Sequence, residues 1–298
     1  MVFRPHHITT SGFLAGLLGL LATPGPAWAQ GSSFPGARPL GLGGAMRAAA
    51  TGDAGPVLNP SGISLMRGYS VEGGYQYGKS PELHDARVSV IDSTSGFNLG
   101  GALYYGYHRD SPPVGTSQTG HVFGGSLSFP FLDKVFLGAN VKYLSFHDAA
   151  DASYSGLTID GGLTVRPLPQ LSIGAVGYNL LKVATAWVPL GVGGGVALLP
   201  MPQLLFAFDA VWTKVYDDPT RDHVMSYMGG GELAVVPTAA VRAGGGRDGL
   251  SGNGYFSAGV TALSAELGAI DLGVRQDLSG ETKSTLLAVS VRLFVPGM

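Results

Sequence analysis

Five histidines in this chain could contribute to acid–base chemistry, because four of them lie within two residues of an aspartate. The neighbours are His84 with Asp85, His108 with Asp110, His147 with Asp148 and His223 with Asp222, and His121 is the fifth histidine. Pairs of this kind serve proton transfer in hydrolases. No Gly-x-Ser-x-Gly elbow or His-Glu-x-x-His zinc motif stands in a supporting context. An enzyme that carries these pairs at the outer rim of a membrane protein is therefore a weak hypothesis. We expect no catalytic residue, metal or cofactor.

The composition is that of a membrane protein without membrane-spanning helices. Only 13% of the 298 residues are charged and the mean hydropathy is +0.24, whereas soluble domains carry about 25% charged residues. Yet the only strongly apolar run is at the N-terminus. Lipid tolerates only helices and closed barrels, so a β-barrel is predicted, with a glycine-rich soluble sandwich as the alternative.

Residues 1–29 resemble a secretory signal peptide. Arg4 supplies the positive region, residues 13–22 form a short apolar core, and Ala27-Trp28-Ala29 is a small-x-small cleavage site before Gln30. The rest of the chain has 20 acidic and seventeen basic residues, a net charge of −3. This balance excludes a strong nucleic-acid-binding hypothesis. The chain has no cysteine, so neither disulfides nor thiol chemistry is expected.

From Tyr69 onward, apolar and polar residues alternate with period two, which is typical of strands with two different faces. Fourteen such segments are predicted, an even number as bacterial barrels require. They are 69–78, 84–92, 97–108, 119–130, 134–147, 155–166, 170–180, 188–199, 203–213, 224–236, 239–247, 254–264, 269–278 and 284–295. The predicted fold is all-β, a 14-stranded antiparallel transmembrane β-barrel.

The positions of the charges indicate which face of each strand points inward. All mid-strand charges lie on the more polar face, and a Lys or Arg facing lipid at mid-depth would cost about 2–4 kcal/mol. These lumen-facing charges number six basic and five acidic, so we expect mutual pairing. They are Glu72, Arg87, Lys142, Asp160, Arg166, Asp209, Glu232, Arg242, Asp271, Arg275 and Arg292.

The connections predict the orientation of the barrel. The links after odd strands are longer and polar, and those after even strands are short. Bacterial barrels have short periplasmic turns and longer external loops. Both termini are therefore predicted to face the periplasm of a Gram-negative-type cell.

The stretch before the first strand resembles the N-terminal signature of the FadL-like superfamily of outer-membrane long-chain fatty-acid transporters, shared with PorV/PorQ-type barrels. The matching segments are Gly36-Ala37-Arg38-Pro39-Leu40-Gly41-Leu42-Gly43-Gly44-Ala45, Asp53-Ala54 and Asn59-Pro60-Ser61-Gly62-Ile63. Irregular backbone is tolerated at membrane depth only inside protein, so this stretch is expected within the barrel. The resemblance implies a hatch that plugs the lumen, with the motif residues Gly41, Gly43, Gly44, Asp53, Asn59, Pro60 and Gly62.

The predicted organisation is a signal peptide (1–29), a hatch (30–67) and a transmembrane barrel (68–298). The resemblance implies uptake of hydrophobic molecules that leave sideways through a gap at a kinked third strand. Gly100, Gly101 and Gly106 in that strand would permit such a kink. Apolar side chains facing the lumen, Tyr104, Leu144 and Phe146, are predicted to line a ligand site.

The chain departs from the transporters in length, since its longest predicted external loops have about ten residues. An alternative is therefore a non-transporting barrel of the PorV/PorQ type, acting in secretion or surface attachment of other proteins. The expected partners are outer-membrane lipid and either a hydrophobic small molecule or secretion-system and surface proteins, with no nucleic acid.

Overall fold

The computed structural model describes residues 34–95, 99–111, 116–150, 152–181, 187–216, 218, 220–264, 268–280 and 282–295. The predicted signal peptide, 1–29, lies outside the described residues. In the described part of the chain, no helix is long and apolar enough to cross a membrane.

Within these residues the chain forms fourteen strands, and each pairs antiparallel with its neighbours in sequence. The strands are β1 Tyr69–Lys79, β2 Glu82–Asp92, β3 Gly100–Ser111, β4 Gln118–Leu132, β5 Val135–Asp148, β6 Ser153–Leu168, β7 Leu171–Tyr178, β8 Gly191–Met201, β9 Leu204–Lys214, β10 His223–Val236, β11 Ala239–Arg247, β12 Gly254–Ser264, β13 Gly268–Asp277 and β14 Thr285–Phe294. Pairing of β1 with β14 closes the barrel. The predicted fold class and strand number are confirmed.

The two faces of the wall differ as the alternation predicts. On β5, Asn140 is fully buried on the inner side, whereas the next residue, Val141, is 51% exposed on the outer side. Leu103, Leu127 and Leu157 are likewise exposed, at 70%, 60% and 59%. Because side chains alternate along a strand, the outer face carries a continuous apolar band and the lumen receives the polar residues.

The third strand lies further than predicted toward the end of the barrel that is predicted to be external. Its expected range was 97–108, but β3 covers Gly100–Ser111, and residues 97 and 98 lie outside the described residues. The turn between β1 and β2 contains only Ser80 and Pro81, so β2 begins at Glu82. Its first residues, Glu82 and Leu83, pair with Ser111 and Asp110 and extend β3 outward.

The seventh strand ends earlier than predicted. The expected range was 170–180, but β7 stops at Tyr178, because Asn179 adopts a left-handed backbone with φ of 55°. The Asn179 amide accepts from Lys142 Nζ at 2.8 Å and donates to the Pro189 carbonyl at 2.8 Å. The link from 179 to 190 is therefore twelve residues long, longer than any external loop expected.

The N-terminal segment, residues 34–67, contains two short α-helices, α1 Ala37–Gly41 and α2 Ala54–Leu58, and a 3-10 helix, Pro60–Leu65. Close contacts or hydrogen bonds connect it to all fourteen strands. A single segment can reach the inward-facing residues of every strand of a closed barrel only from within. It therefore lies in the lumen.

The link between β9 and β10 shows how a loop at the predicted external end is held. The hydroxyl of Thr220 and the guanidinium of Arg221 both donate to the Asp218 carboxylate, at 2.6 Å each. These bonds, with that from the Thr220 N–H, lower the pKa of Asp218 to about 2. Asp218 thus organises the described part of this loop through polar and charged contacts.

The orientation can be tested by labelling, because the chain has no cysteine of its own. We expect Asp218→Cys to react with a membrane-impermeant maleimide on intact cells. Pro169→Cys, in the turn between β6 and β7, should react only after the outer membrane is permeabilised. Labelling at 169 with none at 218 on intact cells would invert the topology.

Candidate functional site

An ion-pair cluster holds α1 against β10, β11 and β13. The Arg38 guanidinium donates to both carboxylate oxygens of Glu232, at 2.8 and 2.7 Å. Arg242 also binds Glu232 and lies 3.0 Å from Asp271. Bidentate pairs of this kind are strong and fix orientation, so the helix has a defined position on the wall.

A second cluster holds the start of α2 against β1, β2 and β14. Arg87 donates to the Asp53 carboxylate at 2.7 Å and also to the Phe34 carbonyl. The Asp53 N–H donates to Glu72 at 3.0 Å, and Arg292 donates to the other oxygen of Glu72 at 2.7 Å. Asp53, a predicted hatch residue, is thus one of the residues that join the segment to the wall.

A third cluster joins the middle of the segment to β7 and β9. One carboxylate oxygen of Asp209 accepts from the backbone N–H groups of Met46 and Arg47 at 2.9 Å each. The same oxygen accepts from the Arg47 guanidinium at 3.0 Å. Arg47 also donates to the Tyr178 hydroxyl at 2.9 Å, and that hydroxyl donates to the Leu58 carbonyl at 2.6 Å. Neither Arg38 nor Arg47 was singled out from the sequence as a residue that holds the segment.

Asn59 is the polar centre of the segment and is completely buried. Its amide nitrogen donates to the carbonyls of Arg47 at 2.8 Å and Leu163 at 3.2 Å. Its oxygen accepts from the Ser61 N–H and hydroxyl and so caps the 3-10 helix. Pro60 follows as the first residue of that helix, where its missing N–H costs nothing.

Glycines on both sides let the segment and the wall approach each other closely. Gly43 and Gly44 have φ of 71° and 86°, a conformation that glycine adopts at least cost. On the wall, a side chain at Gly162 would overlap with Asn59 Oδ1, and one at Gly138 would overlap with Ser61 N. The other predicted motif glycines are also packed, Gly41 against Gly259 of β12 and Gly62 against Ala50 within the segment.

Above the N-terminal segment, toward the end of the barrel that is predicted to be external, the lumen contains a cavity of about 250 Å³. Most of its lining is apolar, and the segment supplies the floor through Phe34, Leu40, Val57 and Leu58. The walls come from several strands and from the link after β7. Their apolar lining residues include Leu83, Tyr104, Val122, Leu144, Val188, Val211, Met228, Leu250, Tyr255 and Leu286.

The three predicted ligand residues lie in one cluster, but only two of them line the cavity. Tyr104, Leu144 and Phe146 pack with Val122 and Val188, while Tyr104 and Leu144 face the open space. The rings of Tyr104 and Phe146 lie over Gly124 and Gly120 on the paired strand, where no side chain fits. The sequence could not identify Val188, because its burial depends on how the link from 179 to 190 turns into the lumen.

Paired charges also reach the cavity. His108 Nδ1 lies 2.6 Å from Asp85 Oδ1, and Gln76 donates to the other oxygen of Asp85 at 3.0 Å. Lys142 lies 2.8 Å from Asp160. The pairing of His108 is across β2 and β3 rather than with its sequence neighbour Asp110, which accepts from the Gln118 N–H at 3.1 Å. These side chains at the cavity are thus paired with one another, and Lys142 and Asp160 form a pair of the kind expected for the lumen-facing charges.

The glycines of the predicted kink lie in a regular part of the wall. Within the described residues, β3 pairs with β2 and β4 without a register shift. Gly100 begins the strand beside Ile63 of the N-terminal segment, and Gly101 and Gly106 pair with Leu127 and Val122 of β4. A lateral opening at these glycines stays a prediction.

Comparison with known proteins finds no matching family model and no matching curated protein. Solved structures do share the fold. The toluene transporter TbuX of Ralstonia pickettii has a TM-score of 0.69 at 12% identity, covering 87% of this chain and 98% of that one. A FadL homologue of Pseudomonas aeruginosa gives 0.69 at 11%, with the same coverage. The toluene transporter TodX of Pseudomonas putida gives 0.69 at 11%, covering 87% and 100%.

The chain has the fold of the FadL-type hydrocarbon transporters. The predicted resemblance to that superfamily is confirmed at the level of the fold, and the fold supports an outer-membrane location.

Adjacent glycines on β6 offer a matched test of how the segment is seated. Gly162→Val should displace Asn59 and Pro60 and destabilise the seating by about 1–3 kcal/mol, as overpacking does. Gly161→Val points to the outer face, where the nearest side chain is Leu180 at 3.6 Å, and should have no effect. Trypsin cleavage after Arg47 in the assembled barrel is the measurement. Equal cleavage rates in the two variants would contradict the seating described.

Proposed function

We propose that this barrel takes up hydrophobic small molecules across the outer membrane and holds them, during passage, in the cavity above the N-terminal segment. The observation that carries the proposal is an apolar cavity bounded below by a segment held by three ion-pair clusters. Ligand sites are typically mostly apolar with a few placed polar groups, and this cavity has that character.

The cavity volume favours compact substrates. An apolar cavity of about 150 Å³ is enough to bind benzene, whereas drug-sized ligands occupy about 300–1,000 Å³. The present volume of about 250 Å³ suits one substituted ring or a short acyl chain. Two similar structures are named as toluene transporters. A long-chain fatty acid, the substrate class implied by the sequence resemblance, would have to extend out of the cavity.

In this proposal, residues 30–67 act as a hatch that separates the cavity from the periplasm. Support comes from Arg38, Arg47 and Asp53, which tie the segment to different sides of the wall. To go further, a substrate that reaches the hatch needs either a local movement of the hatch or a sideways exit through the wall. The proposed exit is the wall near Gly100, Gly101 and Gly106, beside the 3-10 helix.

We also propose that the signal peptide, residues 1–29, directs export of the chain, and that the outer face of the barrel contacts outer-membrane lipid. The alternative is a non-transporting barrel of the PorV/PorQ type that serves secretion or surface attachment of proteins. It predicts that filling the cavity leaves function unchanged, which separates the two hypotheses.

Two neighbouring residues on β4 provide the functional test. Val122 lines the cavity, and Val122→Trp should fill it and lower toluene uptake about tenfold, the effect of roughly 1.4 kcal/mol. Phe123 faces outward and is 53% exposed, so Phe123→Trp should leave uptake unchanged. Uptake of radiolabelled toluene and of palmitate by cells that depend on this protein is the measurement. Heat-modifiable gel mobility verifies assembly of both variants.

If neither substrate enters faster with the protein than without it, uptake is not its function and the secretion hypothesis gains. If palmitate but not toluene depends on the protein and on Val122, the substrate is a long chain rather than a compact molecule. If toluene uptake falls in the Val122 variant and not in the Phe123 variant, the result supports the proposal as stated.

A further inference from the structure

Basic side chains gather on the outward face of β3, β4 and β5 at their external ends. Thr119 of β4 pairs with Arg109 of β3 on one side and with His147 of β5 on the other. His121, two residues along β4, lies diagonal to both Arg109 and His147. Directly paired residues have Cβ atoms about 4.5–5.5 Å apart, and diagonal ones about 7–8 Å. We call Arg109, Thr119, His121 and His147 the basic patch.

The depth of the basic patch corresponds to a lipid headgroup region. On β4, the exposed Phe131 lies near the periplasmic turn, twelve residues from Thr119. At about 3.3 Å per residue and a tilt of about 45°, this separation spans roughly 28 Å of membrane. The apolar band of such barrels is about 25 Å tall, so the patch lies just above it.

The basic patch has no acidic partner among the described residues. Arg109 and His147 are exposed, and no carboxylate of the described residues forms an ion pair with either of them or with His121. The nearest outward acid on β2, Glu82, is bound to His84 at 3.1 Å. Asp148 next to His147 accepts from the backbone of Ala150 and Ala152 instead.

Aromatic side chains support the patch from below. The Tyr105 hydroxyl lies 2.8 Å from His121 Nδ1, which leaves Nε2 as the imidazole nitrogen available to a ligand. The ring of Tyr107 packs on His121 with centroids 5.5 Å apart. Phe123 and Tyr143, 53% and 44% exposed, continue the same outer face toward mid-membrane and present a surface for acyl chains.

We propose that the basic patch binds the phosphate group of an outer-leaflet lipid. Arginine and histidine are strong donors to phosphate oxygens, and the hydroxyl of Thr119 lies between them. The apolar and aromatic surface below accepts the lipid chains, as in interfacial aromatic belts. The site lies outside the lumen cavity and does not rest on the proposed uptake, but it rests on the membrane location and the orientation of the barrel proposed above.

The test uses the full mature barrel in detergent and native mass spectrometry. Short-chain phosphatidic acid, with a phosphate monoester, should bind about tenfold better than phosphatidylcholine of the same chains, because one or more charge-assisted bonds distinguish them. The double variant Arg109→Gln, His147→Gln should lose this preference. Arg247→Gln removes an exposed arginine at the external end of β11 that forms no ion pair with a described residue, and this variant should retain the preference.

Three results of the lipid-binding assay would overturn the proposal. They are the same affinity for both lipids in the unaltered protein, an equal loss in the Arg247 variant, and the same affinity for inorganic phosphate as for phosphatidic acid, which would assign the patch to free phosphate. A dimer that the double variant abolishes while lipid binding stays unchanged would also overturn it and would assign the face to a second copy of the chain. Assembly of each variant is verified by heat-modifiable gel mobility.

Discussion

Charged side chains on the inner face of the wall need partners, because an isolated ion in a low-dielectric interior costs several kcal/mol. Arg87, Asp209 and Glu232 project into the lumen, and each is paired with a residue of the N-terminal segment. Removing one partner of such a buried pair typically costs about 3–5 kcal/mol. These ion pairs therefore hold the N-terminal segment to the wall. The cavity above depends on the segment for its floor.

Close packing complements this electrostatic fit. The barrel could not admit a folded segment if bulky side chains filled its inner face, and inward glycines such as Gly138 and Gly162 provide the space. The same device shapes the cavity, where Tyr104 lies flat over Gly124 instead of extending into the lumen. Inward-facing glycines of the wall thus make room for what the barrel contains.

The sequence predicts the strands of the wall better than it predicts the contacts inside the barrel. Strict alternation, as in residues 69–78, reports two different environments and so identifies strands, their facing and their number. It does not report where a strand ends when a residue such as Asn179 leaves the extended conformation, nor where the link beyond it packs. The pairing of His108 with Asp85, 23 residues away, and the burial of Val188 depend on register and on chain direction after a turn. Those contacts have no local signal in the sequence.

The central claim is that the N-terminal segment closes the lumen, and single-channel recording in planar bilayers tests it most directly. The full mature barrel should show little ion conductance. A chain lacking residues 36–63 that still assembles, as judged by heat-modifiable mobility, should form a stable open pore, because the floor of the cavity and its ion pairs are gone. An assembled deletion variant with the same low conductance as the full barrel would contradict the account.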